Sequence, residues 1–149
     1  MREERIEIRL QKGRIEELTT DERRGMDVAL AAAEKAYAPY SGFHVGAAVE
    51  LADGRLVPGS NQENAAYPSG LCAERTALFT AGVQHPDVAV RALYVVAMKD
   101  GVVQDKISPC GGCRQVISEV EHRYGQSVRI YLCGRTEYCC VESAEALLP

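Results

Sequence analysis

Two short cysteine-containing segments constrain the fold of this chain more than any other feature. They are Cys72-Ala73-Glu74 and, farther along, Pro109-Cys110-Gly111-Gly112-Cys113, which together supply three thiols and one carboxylate. A Zn²⁺ ion with three protein ligands keeps its fourth position free for water, and a nearby glutamate can move the protons of that water. A fold that uses these residues together must bring both segments to one place, where their chemistry would be hydrolytic.

Each segment is predicted to begin a helix. Pro109 disfavours helix immediately before it, so Cys110 should lie at or near a helix N-terminus. Cys113 follows three residues later and therefore shares a helix face with Cys110. Helix N-termini favour thiolates through their backbone N–H groups and dipole. If Cys72 is likewise the end residue of its helix, Glu74 can reach a metal-bound water rather than the metal.

Arg75 follows these groups in sequence and is a candidate for adjusting their charge. Three thiolates on Zn²⁺ leave the centre with a formal charge of −1, which weakens it as a Lewis acid. A positive neighbour would restore acidity to the bound water. We therefore expect Arg75 to lie beside the ligands, although a solvated helix arginine is the simpler interpretation.

Two other interpretations of the cysteines stay open at this point. A Cys-x-x-Cys pair beside a βα pattern also occurs in redox dithiols, but that would leave Cys72 and Glu74 unexplained. A purely structural zinc site would need a fourth ligand. The candidates for that ligand are Cys133, Cys139 and Cys140.

Composition places the chain among single-domain proteins of ordinary type. Its 149 residues, of which 46% are hydrophobic, fit one domain, and the net charge of −4 disfavours binding to a polyanion such as nucleic acid. The charged N-terminus has no apolar segment typical of a signal peptide, and no apolar run approaches the ~20 residues of a membrane span. We expect a cytoplasmic protein whose six cysteines are thiols or metal ligands rather than disulfides.

The chain alternates between strand and helix patterns. Ile6, Ile8 and Leu10 alternate with charged residues, which predicts a short strand, and Thr19 to Glu22 resembles a capping box ahead of a helix that Pro39 should end. The stripe facing inward from that helix is Met26, Ala29, Leu30, Ala33 and Tyr37. Further strands are predicted at 43–51, 55–60, 91–98, 128–133 and 138–141, and further helices at about 72–83, 110–124 and 143–148. This order predicts a mixed sheet with helices on its faces.

Longer motifs carry a resemblance to a known family. They are the stretch from Ala36 to Ala48 (AYAPYSGFHVGAA), the stretch from Asn61 to Tyr67 (NQENAAY), Cys72 to Ala77 (CAERTA) and the Pro-Cys-x-x-Cys segment. At this spacing they resemble the small zinc-dependent cytidine deaminases that act on free nucleosides, in the three-cysteine form of the deaminase signature. The similarity is dense over about 27–119 and more diffuse to residue 149.

The resemblance implies a fold and an organisation. The expected fold class is α/β, a three-layer α/β/α sandwich with a mixed five-stranded sheet, an opening antiparallel hairpin and helices on both faces. Residues 1–149 would form one deaminase-like domain, and residues 1–18 would be a charged N-terminal extension that could add an edge strand. The family is typically homotetrameric, with neighbouring subunits completing each pocket.

The resemblance also implies roles for particular residues. The implied ligands of one zinc ion per chain are Cys72, Cys110 and Cys113, and Glu74 would be the catalytic proton shuttle. The implied substrate contacts are Phe43, Asn61, Glu63, Ala73 and Pro109. Phe43 would pack against the pyrimidine, whereas the backbones of Ala73 and Pro109 would approach its O2 and amine sides. Asn61 and Glu63 would hold ribose hydroxyls, in line with their spacing, since residues two apart in an extended chain point the same way.

The implied reaction is the hydrolytic deamination of cytidine and 2′-deoxycytidine, a step of pyrimidine salvage. Alternatives are a deaminase of a modified nucleoside or nucleoside antibiotic and, from another class, a thiol redox or structural-zinc protein. A polynucleotide deaminase is disfavoured by the acidic charge balance. Family members often carry a pocket-covering aromatic residue shortly after the position of Pro149, so we expect pocket closure to depend on another group or on residues beyond the given sequence.

Overall fold

The computed structural model describes residues 1–149 and contains three α-helices and seven strands. The strands are β1 (Gln11–Arg14), β2 (Phe43–Leu51), β3 (Leu56–Ser60), β4 (Val90–Lys99), β5 (Val102–Val103), β6 (Arg129–Cys133) and β7 (Glu137–Val141). The helices are α1 (Thr20–Ala33), α2 (Ala73–Gln84) and α3 (Gly111–Tyr124), and short 3₁₀ turns lie at Ile15–Glu17, Tyr67–Ser69 and Ala144–Ala146. None of the helices has the length and apolar character needed to cross a bilayer.

All seven strands belong to one mixed sheet. The strand order is β1-β7-β6-β4-β2-β3, with β5 paired to the end of β4. The β4–β6 pair is parallel and the other pairs are antiparallel, including the opening β2–β3 hairpin. The predicted mixed sheet is therefore confirmed, although it has seven strands rather than five because β1 and β5 extend it.

The predicted strand over Ile6, Ile8 and Leu10 is wrong. Regular structure begins only at Gln11, which pairs with Cys140 of β7. Since β7 ends at Val141, residues before Leu10 have no strand to pair with in this chain. Their alternation indicates a strand, but a strand needs a neighbour to satisfy its backbone groups.

The helices cover both faces of the sheet and produce the predicted three layers. Along β4, Leu93 and Val95 join a core cluster shared with α2 and α3, whereas Tyr94 and Val96 join the cluster shared with α1. This alternation is the two-residue period of a strand buried on both sides.

Glycines let two helices lie directly on the strands. A Cβ atom at Gly46 of β2 would overlap the carbonyl oxygen of Ala29 in α1. A Cβ at Gly59 of β3 would collide with the backbone of α2, at the nitrogen of Ala77 and the carbonyl oxygen of Ala73. The position of the first turn of α2 therefore depends on the absence of a side chain at Gly59.

The capping box of α1 is confirmed, but the predicted end of this helix is wrong. Thr19 Oγ1 accepts from the backbone N–H of Glu22 at 3.3 Å, and the Glu22 carboxylate accepts from the Thr19 N–H at 2.9 Å. The helix ends at Ala33, well before Pro39. The backbone N–H of Tyr37 donates to the Asn61 carbonyl at 3.0 Å, so the chain leaves the helix to pair with the loop after β3.

Replacing Gly46 with alanine should strongly destabilise the fold. The added methyl group meets the backbone of α1, which cannot move aside as a flexible side chain can, so we expect a loss of about 1–3 kcal/mol or more in the free energy of unfolding. Gly82→Ala is the matched control, since its Cβ would lie 3.4 Å from only the end of the Arg123 side chain and alanine favours helix by ~0.5–1 kcal/mol. Denaturant titration measures both; equal stabilities would contradict the assigned helix–strand contact.

Candidate active site

The three predicted metal ligands converge where α2 and α3 begin. Cys72 is the N-cap residue of α2, Cys110 is the N-cap residue of α3, and Cys113 lies in the first turn of α3. Their sulfur atoms all lie within 4.8 Å of one another, and the Sγ atoms of Cys72 and Cys110 are 3.7 Å apart. Two helices that are distant in sequence thus direct three thiols to one point.

Local geometry explains why the cysteines point beyond the helix ends. Cys72 and Cys110 have extended backbones, as N-cap residues do, while their carbonyls accept the first helical hydrogen bonds. The Cys110 sulfur also accepts from the backbone N–H of Cys113 at 3.4 Å, in the manner of a capping side chain. The sulfurs therefore lie at the positive ends of two helix dipoles, which favours their ionised forms.

Arg75 lies beside the cysteine cluster. Its Nη2 donates to the Cys72 sulfur at 3.4 Å, and its Nε is buried without a hydrogen-bond partner. Hydrogen bonding from the Cys113 thiol, with help from Arg75, lowers the pKa of Cys72 to about 5. The guanidinium thus stabilises negative charge on the cluster, and its buried Nε–H is still available to a further acceptor.

The donor set suits zinc. In a tetrahedral site with Zn–S bonds of about 2.3 Å, sulfur atoms are separated by about 3.8 Å, close to the spacing of Cys72 and Cys110. The three cysteines could therefore hold one Zn²⁺ with small side-chain adjustments. None of the candidate fourth ligands joins them: Cys133 and Cys140 belong to the core cluster on the α1 side of the sheet, and Cys139 lies on β7 outside the group of converging thiols. This arrangement disfavours a purely structural four-cysteine site.

Glu74 is the buried acid of the site. As the second residue of α2 it lies near the Cys113 thiol, and only 5% of its surface is exposed. Burial raises the pKa of its carboxyl group to about 7. A carboxyl group with this pKa can both accept and release a proton near neutral pH.

A cavity of about 820 Å³ opens above the cluster. This volume lies within the range typical of small-molecule sites. The predicted site residues that line it are Phe43, Asn61, Glu63, Cys72, Ala73, Glu74, Arg75 and Cys110. Cys113 and Pro109 are fully buried behind this wall. The structure thus brings together predicted site residues from four separate parts of the chain.

Asn61 and Glu63 brace the segment that carries Phe43. Asn61 Oδ1 accepts from the Val45 N–H at 2.8 Å, and its Nδ2 donates to the Phe43 carbonyl at 2.9 Å. Glu63 accepts from the backbone N–H groups of Tyr40 and Ser41, at 3.0 and 3.1 Å, and from the Ser41 hydroxyl at 2.6 Å. These hydrogen bonds, chiefly that from the Ser41 side chain, lower the pKa of Glu63, which stays ionised at neutral pH.

Comparison with known proteins identifies the family. A sequence model described as the cytidine and deoxycytidylate deaminase zinc-binding region matches residues 19–125. The chain belongs to this deaminase family. A cytidine deaminase of Sporosarcina psychrophila is 52% identical over 88 residues, and one of Halalkalibacterium halodurans is 47% identical over 92 residues. These alignments cover 59% and 62% of this chain and span 61% and 66% of the two relatives.

Solved structures of cytidine deaminases share the fold. The enzyme from Burkholderia pseudomallei superposes with a TM-score of 0.69 at 37% identity, covering 89% of this chain and 98% of its own. The enzyme from Mycobacterium tuberculosis superposes with a TM-score of 0.65 at 36% identity, covering 88% of this chain and 96% of its own. The match extends over nearly the whole length of these two deaminase structures.

Arg114 is a site residue of this deaminase-family chain that its sequence pattern does not reveal. Its Nε donates to the Pro109 carbonyl at 2.9 Å, its Nη1 to the Leu147 carbonyl at 2.8 Å and its Nη2 to the Ser108 hydroxyl at 2.9 Å. It therefore holds the loop before α3 against the last residues of the chain. One feature of the sequence could have indicated this role. Arg114 directly follows Cys113, and a helical side chain at that position tilts towards the helix N-terminus, where Pro109 lies.

Replacing Cys110 with alanine should remove zinc from the purified protein. The other two thiols cannot complete a three-sulfur site, so we expect zinc content, measured by atomic emission, to fall from about one ion per chain to a small fraction of that. Cys139→Ala is the matched control, because Cys139 lies on β7 outside the cluster, and it should keep full zinc. Unchanged zinc in Cys110→Ala would refute the ligand assignment.

Proposed function

We propose that this protein hydrolyses the exocyclic amine of cytidine and 2′-deoxycytidine, giving uridine or 2′-deoxyuridine and ammonia. The observation that carries this proposal is the juxtaposition of buried Glu74 with three converging thiols on the wall of a nucleoside-sized cavity. The similarity to proteins named cytidine deaminases supports the same substrate.

Glu74 is proposed to move the protons of the reaction. Zinc held by Cys72, Cys110 and Cys113 would supply the Lewis acidity that makes a water proton acidic near neutral pH. Glu74 accepts that proton and passes it to N3 of the pyrimidine, which makes C4 more electrophilic towards the attacking water oxygen. Glu74 then delivers the second proton to the amine, which leaves as ammonia. A carboxyl pKa of about 7 suits both transfers.

The substrate is proposed to lie across the cavity with its base at the cluster. Phe43 offers a ring for packing against the pyrimidine, and the backbone N–H of Ala73, at the start of α2, can donate to O2. Pro109 is fully buried in this structure, so its carbonyl would reach the exocyclic amine only after a small shift of the loop before α3. One lone pair of that carbonyl stays free for the amine, since Arg114 occupies the other and orients the group.

The ribose is proposed to lie between Asn61 and Glu63. Glu63 accepts three hydrogen bonds from Tyr40 and Ser41, and an ionised carboxylate has about four acceptor sites. Asn61 retains one amide proton beyond its bond to the Phe43 carbonyl. One charged acceptor and one donor thus remain for sugar hydroxyl groups.

A homotetramer in the cytoplasm is proposed as the working form. Two apolar residues on the cavity rim, Tyr67 and Leu71, are exposed to 91% and 37%, as expected of a rim that a neighbouring subunit covers. All six cysteines are free thiols, as is usual in a reducing compartment.

Glu74→Gln should abolish turnover while leaving zinc bound. Glutamine keeps the size of the side chain but cannot accept and return a proton, so we expect kcat for cytidine to fall by about 10²–10⁴-fold or more. Ammonia release and zinc content are measured on the same sample. The inactive variant must keep its zinc; near-normal turnover would refute the proton-shuttle role.

Glu63→Gln tests the ribose contact. Exchanging a charged acceptor for a neutral one should lower kcat/KM for cytidine about 10-fold. The same variant should leave kcat/KM nearly unchanged for 2′,3′-dideoxycytidine, which lacks the hydroxyls that Glu63 would bind. An equal loss for both nucleosides would mean that Glu63 acts only by bracing Ser41. Ser41→Ala is the matched control, because it removes the hydrogen bond from the Ser41 hydroxyl and keeps the Glu63 carboxylate.

A further inference from the structure

The segment before β1 is an exposed, strand-like sequence without a partner in its own chain. Ile6, Ile8 and Leu10 are exposed to 66%, 49% and 51%, and residues 1–10 have no regular structure. Charged side chains separate these apolar ones along the chain. A period of two favours an extended strand with one apolar face. Such a face is costly to leave in water, which points to a surface that something covers.

The segment leads directly into an open sheet edge. β1 is the terminal strand of the sheet and pairs with β7 on one side only. Its outer backbone groups therefore have no strand partner, and an edge of this kind is a template for an added strand. A strand that pairs with residues before Gln11 would continue along the outer edge of β1.

We propose that the partner is a second copy of this segment, paired antiparallel about a twofold axis at Ile8. In this register Ile8 faces Ile8 of the second copy, and Ile6 faces Leu10 on the same side of the ribbon. The opposite side pairs Glu7 with Arg9, and the outer pair on the apolar side joins Glu4 to Lys12. Each apolar residue thus meets an apolar residue, and each of these acids meets a base.

Neighbouring registers lose this complementarity. Moving the axis by one residue places Glu7 opposite Glu7 or Arg9 opposite Arg9, and like charges directly opposite one another destabilise a strand pair. Placing the axis between two residues sets Ile8 against Glu7 or Arg9 and mixes the two faces. The sequence is therefore self-complementary in one register, which favours a second copy over an unrelated strand.

The pairing would join two sheets edge to edge through β1. Residues 4–12 carry it, and none of them lines the cavity described above. The interface is therefore separate from the deaminase chemistry and from a tetramer built around the cavity rim. It does not rest on the proposed function, and deaminase activity should not depend on it.

Cysteine substitution along the full-length chain tests the register. Residues directly opposite in an antiparallel pair have Cβ atoms about 4.5–5.5 Å apart, close enough to oxidise after small shifts. In the presence of oxidised glutathione, two copies of Ile8→Cys should therefore form a covalent dimer, which is seen on a non-reducing denaturing gel. Ile6→Cys alone and Leu10→Cys alone should not, because each would lie about 13 Å from its own copy, whereas their mixture should cross-link.

Wild-type protein, with its six native thiols, sets the baseline of this experiment. Cross-linking of Ile8→Cys above this baseline, together with the mixture of the other two variants, supports the proposed axis. Dimer yield that is equal at all three positions, or equal to the baseline, would overturn it.

Charge exchange supplies an independent arm. Glu7→Arg places like charges opposite each other in the strand pair. It should raise the dissociation constant for the association made through this pair at least 10-fold, measured on the full chain by sedimentation over a concentration series. Adding Arg9→Glu restores both the net charge and the pairing, and should restore association. Failure of this rescue, or no effect of Glu7→Arg, would refute the strand pair, whereas ammonia release from cytidine should be the same in all these variants.

Discussion

The contact of α2 with the bare backbone of Gly59 is the constraint on which the site depends. Because β3 has no side chain there, the first turns of α2 lie directly on the sheet, at the carbonyl of Ala73 and the nitrogen of Ala77. Cys72 caps this helix and Glu74 lies in its first turn, so both inherit their positions from that contact. A larger residue in the strand would displace a thiol and the buried acid together.

The electrostatics of the site follow from the burial of a carboxyl group and three thiols close to one another. Burial raises the pKa of Glu74 to about 7, whereas hydrogen bonds from Cys113 and Arg75 lower that of Cys72 to about 5. The same enclosed space thus favours a neutral acid and an ionised thiol. Helix dipoles and a single arginine offset part of the thiolate charge, and a divalent cation is the partner that this arrangement still requires.

Local signals made much of the fold predictable, and contacts distant in sequence account for what was not. The capping box at Thr19 and the helix starts at the cysteines depend on neighbours in sequence, so they could be inferred. The end of α1 depends on the pairing of Tyr37 with the loop after β3. The strand pattern around Ile8 does not form a strand, because β7 does not extend far enough to pair with it. The position of Arg114 directly after Cys113 placed it near the site, but its role in fastening the last residues could not be inferred, because its contact with Leu147 is distant in sequence.

The bracing role of Glu63 gives the proposed ribose contact its physical basis. A flexible carboxylate would lose rotamer entropy on binding a hydroxyl group, whereas three hydrogen bonds from Tyr40 and Ser41 already hold this one in place. The same bonds keep it ionised and fasten the segment that presents Phe43. Sugar recognition and base packing would therefore share one preformed hydrogen-bond network, so that a substitution at Glu63 also alters the position of Phe43, and the reverse.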